Sequence, residues 1–135
     1  MDAPGTSFRF RVHPERLAIA RLERAATVPA WARGGFVTVS HTIDELSITC
    51  PQAHVPPDVV HERDKVALGI AGVIPMTTVG VLASLCAALA EADVPVFVIS
   101  THDTDWLLVS AGRFEAARAA LSGLGHVVDG SLPAR

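Results

Sequence analysis

Cysteine is scarce in this chain. Cys50 and Cys86 are the only two, and they have neither metal-ligand spacing nor a redox C-x-x-C arrangement, so both read as core thiols. Charge is scarce too: 19% of residues are charged and the net charge is −3. No basic stripe is available for phosphates, which excludes nucleic acid as an expected partner, and steering of acidic substrates is equally unsupported. Long apolar runs are missing as well. The greasiest window, Val79 to Ala92, is interrupted by Ser84 and closed by Glu91 and Asp93, so no membrane span is expected. The start, Met1 to Ser7, lacks a charged region followed by an apolar one, and a cytoplasmic location is the expectation. Six histidines, His13, His41, His54, His61, His102 and His126, are scattered without an H-x-x-x-H pair. Neither a metal nor a cofactor is expected.

What remains is apolar. Half of the 135 residues are hydrophobic, enough to bury a core in one compact unit or in two small fused modules. Phe8 to Val12 alternates apolar and basic residues and reads as a short strand. Leu17 to Leu22 alternates like a strand although Ala18 and Ala20 also suit a helix, and strand is the expectation. Val28 to Arg33 has room for only a turn or two of helix before Gly34 and Gly35. Phe36 to His41 and Glu45 to Cys50 form a hairpin rich in β-branched residues, and Asp58 to Glu62 a short helix behind Pro57.

The second half is more regular. Lys65 to Val73 is an almost wholly apolar strand of the kind buried on both faces. A Thr-Thr-x-Gly turn follows, and Thr77 or Thr78 is placed to cap the next helix, in which Val81, Leu85 and Leu89 repeat every fourth residue. Val96 to Ser100 and Trp106 to Ser110 pair across His102-Asp103-Thr104-Asp105. Phe114, Ala117, Leu121 and Leu124 stripe a last helix, and His126 to Asp129 supply an edge strand. From Lys65 to Val128 the order is β-α-β-β-α-β, the ferredoxin-like split βαβ unit. The whole chain offers eight candidate strands and four candidate helices, twice that inventory. The expected fold is therefore α+β: two tandem ferredoxin-like modules with antiparallel sheets and helices mainly on one face. The first occupies residues 8–62, with the N-terminal strand completing its sheet, and the second 64–129; residues 1–7 and 130–135 are expected as flexible termini. Val81, Leu85, Leu89, Phe97, Ile99, Leu107, Val109, Phe114 and Leu121 are the expected core of the second module.

Three segments together resemble the small tandem ACT-domain proteins of bacteria, relatives of aspartokinase regulatory domains and of the cytosolic arginine sensors. They are Val28 to Ala32, Asp44 to Pro51, and above all Gly80 to Leu85 with Ile99 to Val109. ACT domains are ligand-binding modules, typically for amino acids. The resemblance implies a pocket where the first β-α turn of one module meets its neighbour, which maps to Met76, Thr77, Thr78, Val79, Gly80 and Val81. Free amides at a helix start attract a carboxylate, and Gly80 lets a ligand approach the backbone. Thr101, Asp103 and Asp105 of the hairpin are placed to meet the ligand's amine or side chain. Pro75 stands where relatives often carry an acidic residue, which puts recognition of a basic amino acid such as arginine in question.

The same residues have ordinary readings. Thr77 and Thr78 serve equally as helix caps, Gly80 permits close helix-to-sheet packing, and Asp103 is normal turn chemistry. The expected function is a non-catalytic regulatory or sensor protein that binds a small molecule, most simply an amino acid, as a homodimer. The alternatives are an interaction or dimerisation module without ligand and a small enzyme using His102, Asp103 and Asp105, which would need those side chains to converge.

Overall fold

The structure, a computed structural model, describes residues 7–135; the expectation for the first six residues lies outside them. The described residues divide into two compact units, residues 7–14 with 66–133 and residues 15–65 with 134–135. Strand β5, Val60–Ile70, contributes to both.

In the unit built on residues 15–65, strands β2 (Leu17–Leu22), β3 (Thr38–His41) and β4 (Leu46–Pro51) pair in the order β3-β4-β2-β5, all antiparallel. Alternation decides their inner face. Ala18, Ala20, Leu46, Ile48 and Cys50 form one apolar cluster, with Trp31 and Ala32 packed against it. Burial pushes the Cys50 thiol pKa up, as expected of a core thiol. The two short helices expected here do not form. Val28 to Arg33 makes only a turn, with the Ala32 amide donating to the Pro29 carbonyl at 3.1 Å. The residues expected as a helix over 58–62 open as a turn and enter β5 at Val60, where Val60, His61 and Glu62 pair with Arg21, Ala20 and Ile19. A β-branched pair, Val59 and Val60, beside an open strand edge outweighs the helix-start signal of Pro57.

Between β2 and β5 the register shifts, and Asp64 there adopts a left-handed conformation with φ 57°. Its surroundings hold it. The Asp64 amide donates to Gln52 Oε1 at 2.7 Å, and its carboxylate accepts from Gln52 Nε2 at 3.2 Å and from an Arg16 guanidinium nitrogen at 3.1 Å. The Gln52 and Arg16 hydrogen bonds, aided by the Arg16 and Arg63 charges, lower the Asp64 pKa. This is a bulge with its own side-chain support.

The other unit has the strand order β8-β1-β5-β7-β6, where β1 is Arg9–Val12, β6 Phe97–Ser100, β7 Asp105–Ser110 and β8 Val127–Asp129. Helices α1 (Val81–Glu91) and α2 (Phe114–Gly123) join them in the ferredoxin-like order β5-α1-β6-β7-α2-β8. Both α-helices of the described residues therefore lie in this unit. Strand β1, expected to complete the first module, instead pairs antiparallel with β5 and parallel with β8, so this sheet is not wholly antiparallel. Its alternation gave it one wet face but no information on its partner.

The apolar stripes of α1 and α2 meet the same-parity residues of the strands in one core: Val81, Leu85, Leu89, Phe114, Ala117 and Leu121 with Phe10, Val66, Leu68, Leu107, Val109 and Val128. Each fully buried leucine contributes about 1.5–3 kcal/mol. Two expected core residues face the other way. Phe97 is 42% exposed and Ile99 is half-buried, while Val96 and Val98 pack against the core. Val96 to Ile99 is apolar at every position, so period two could not choose a face. The segment 130–135, expected as a frayed tail, has no regular structure. Arg118 nonetheless donates to the carbonyls of Val128 and Gly130, and Pro133 is buried.

Candidate functional site

Strand β5 ends at Ile70, and residues 71–80 carry the chain to α1. The Ala71 amide still donates to the Arg9 carbonyl at 2.8 Å, after which the segment crosses to the β6–β7 hairpin. There the Ile74 amide donates to the Asp103 carbonyl at 2.7 Å, and the Thr104 hydroxyl donates to the Ile70 carbonyl at 2.8 Å. These two bonds set the hairpin tip beside the start of α1. The tip closes on itself through the Thr101 amide and the Thr104 carbonyl at 2.8 Å.

The helix start differs from the expectation for Thr77 and Thr78. Gly80, at φ 87°, occupies the N-cap, and no side chain caps the helix. Both threonines are exposed in the preceding loop, where the Thr78 amide turns back to the Pro75 carbonyl at 2.9 Å. A glycine is favoured at this φ and, having no side chain, leaves the first-turn amides without a capping oxygen.

Between the helix start and the hairpin tip lies a cleft of about 280 Å³. Of the residues singled out in the sequence, Met76, Thr78, Gly80, Val81, Thr101 and Asp105 line it, whereas Thr77, Val79 and Asp103 do not. Leu82, Ala83 and Ser100 are lining residues that sequence reasoning did not assign to a site, and His102, named there only for the enzyme alternative, lines it too. Ser100 had a usable signal. A four-residue tip places it opposite Asp105 in the hairpin register, and its hydroxyl donates to Asp105 Oδ1 at 2.6 Å. The lining is apolar on the helix side and polar on the hairpin side, with the Asp105 carboxylate at the polar wall.

Of the three hairpin groups, His102 and Asp105 line the cleft and Asp103 does not. His102 Nδ1 lies 2.9 Å from Asp103 Oδ1 in a solvent-exposed pair, while Asp105 is engaged by Ser100. Among the described residues no group of three or more His, Cys, Asp or Glu side chains is arranged to hold a metal ion.

The family model for the ACT domain matches residues 60–123. This segment is an ACT domain. A separate family model, described as an N-terminal domain, matches residues 15–58 of the ACT-domain protein. A crystal structure of a protein from Agrobacterium tumefaciens is 31% identical, with a TM-score of 0.86 over 92% of this chain and 93% of that one. A protein of unknown function from Vibrio cholerae, described as a possible transport protein, is 13% identical, with a TM-score of 0.69 over 87% and 90% of the two chains. The regulatory subunit of aspartate kinase from Thermus thermophilus, in its ligand-free form, is 16% identical, with a TM-score of 0.58 over 84% and 95%. The last two likenesses are of fold. No curated protein matches the chain. No helix of the described residues is long and apolar enough to cross a membrane.

Proposed function

We propose that this ACT-domain protein is a non-catalytic, cytoplasmic sensor that binds a free amino acid in the cleft between the start of α1 and the β6–β7 hairpin. The ACT fold supports a regulatory, small-molecule-binding role in general. The observation that carries the amino-acid reading is the pairing of opposite polarities across one small cleft. Uncapped amides at the start of α1 suit a carboxylate, and the Asp105 carboxylate on the facing hairpin suits an ammonium group. A zwitterion presents both. The volume, about 280 Å³, is at the low end of small-molecule sites, as an amino-acid-sized ligand requires.

Calorimetric titration of the twenty amino acids tests the reading. In the variants, Gly80→Val places a β-carbon where the backbone meets the carboxylate, and Asp105→Ala removes a charge-assisted bond worth about 1.5–3 kcal/mol. Thr78→Val weakens binding less, because the carboxylate is read by the amides at the start of α1, which this variant leaves in place. Full affinity in a folded Gly80→Val or Asp105→Ala protein would place the ligand elsewhere.

Homodimerisation is part of the same proposal. Strand β6 is an edge strand, and Val94 to Ser100 carries no charged residue to guard it, with Phe97 exposed at its outer face. Pairing of this edge with a second copy accounts for that exposure. Light scattering of Phe97→Lys, expected monomeric, against wild type, expected dimeric, checks it.

A further inference from the structure

The segment joining β5 to α1 has glycine in a positive-φ conformation at both ends, Gly72 at 90° and Gly80 at 87°. Glycine visits both halves of φ space at little cost, so these two positions allow large backbone rotations that other residues resist. Between them Val73, Met76 and Val79 are 71%, 78% and 76% exposed. Single exposed apolar side chains are ordinary, but three large ones within seven residues, Met76 among them lining the cleft, call for a cover or a partner. Ile74, Pro75, Met76 and Thr78 of the same segment line that cleft. The Ile74 amide is bonded to Asp103 and the Thr78 amide to Pro75; neither bond involves the side chain of Met76.

The charges of the lining narrow the ligand. Asp105 is the one carboxylate among the described lining residues, and there is no lysine or arginine. With Asp105 committed to the ammonium group, a basic ligand side chain has no second carboxylate and an acidic one no fixed cation. A charge buried there unpaired is strongly disfavoured. Val81, Leu82 and Ala83 instead offer an apolar wall.

We propose that residues 72–80 form a lid, hinged at Gly72 and Gly80, that folds Met76 and Val79 over the side chain of an aliphatic amino acid held in the cleft. The proposal rests on the amino-acid reading of the cleft given above. Closure moves both side chains from water onto the ligand and excludes solvent from the Asp105 contact. The ligand's own apolar surface supplies the difference in affinity between open and closed forms that a conformational change requires.

The test combines calorimetry with L-leucine, L-isoleucine, L-arginine and L-glutamate and amide hydrogen exchange over residues 73–79. The expected result is binding of leucine or isoleucine at least tenfold tighter than of arginine or glutamate, with slowed exchange in this segment. The double variant Met76→Ser/Val79→Ser is expected to lose at least tenfold in affinity while keeping its thermal midpoint, because both side chains are exposed without ligand. If a charged amino acid binds best, or if the double variant or the exchange pattern is unaffected, the lid and its ligand class are overturned while amino-acid binding stands. If the double variant alters association but not affinity, these side chains serve a protein contact and the lid is likewise wrong. If none of the twenty amino acids binds, the reading of the cleft fails and takes this proposal with it.

Discussion

At Gly69, on β5, an added β-carbon would lie 2.5–2.7 Å from the ring of Trp106 on the neighbouring strand β7. The indole occupies the space that a side chain would need, so glycine here is a packing requirement rather than a turn signal. Gly69→Ala is expected to destabilise the protein by about 1–3 kcal/mol in a urea titration, and Trp106 fluorescence should report the displaced ring. Asp64 makes a second residue-scale prediction. Its folded pKa is depressed by Gln52 and Arg16, so its contribution to stability is present above the ordinary aspartate value and is lost as pH falls through the lower folded value. In Asp64→Asn, which tolerates the left-handed backbone, stability should fall less between pH 5 and pH 2, roughly the range over which such a carboxylate titrates, than in wild type. Urea midpoints across that range check it. Neither role was legible beforehand. A glycine inside an apolar run and an aspartate beside a lysine declare nothing until the facing strand is known, whereas Asp105 stood out because it heads a strand at a hairpin.

Elements were legible where one period dominated. The fourfold repeat of Val81, Leu85 and Leu89 and the stripe Phe114, Ala117 and Leu121 fix both long helices and their inner faces. Leu85→Ala is expected to cost about 2–5 kcal/mol, since the side chain is fully buried, whereas Phe97→Ala, on the outer face of β6, should cost much less. Thermal or denaturant midpoints of the two variants separate them, and equal losses would mean that β6 is turned over. Elements were illegible where signals were short or conflicting. Pro57 announced a helix that strand pairing overrode, and the glycine at position 80 displaced two threonines with better capping chemistry because the chain reaches α1 through a positive φ.

Over the whole molecule, an amino acid that binds only the folded chain raises its stability by about 2.7 kcal/mol at a hundredfold excess over the dissociation constant. Denaturant titration with and without the ligand identified by calorimetry checks this, and an unchanged midpoint would refute specific binding to the native state. The order β-α-β-β-α-β was legible because helical and strand periods alternate cleanly from Lys65 onward. The place of β1 was not, because four alternating residues carry no record of a partner so distant in the chain. That distance governs the order of events during synthesis. Strand β1 leaves the ribosome before the rest of its sheet, yet the Phe8 amide bonds His126, 118 residues later, and β8 lies beside β1 only once the elements between them have been made. The sheet of this unit thus closes last, by joining its first and last strands in chain order, and until then Phe8 and Phe10 stay exposed to mispairing. A chain started at residue 60, although it spans the matched ACT segment, would lack the strand between β5 and β8 and would leave an open apolar seam for other molecules to fill.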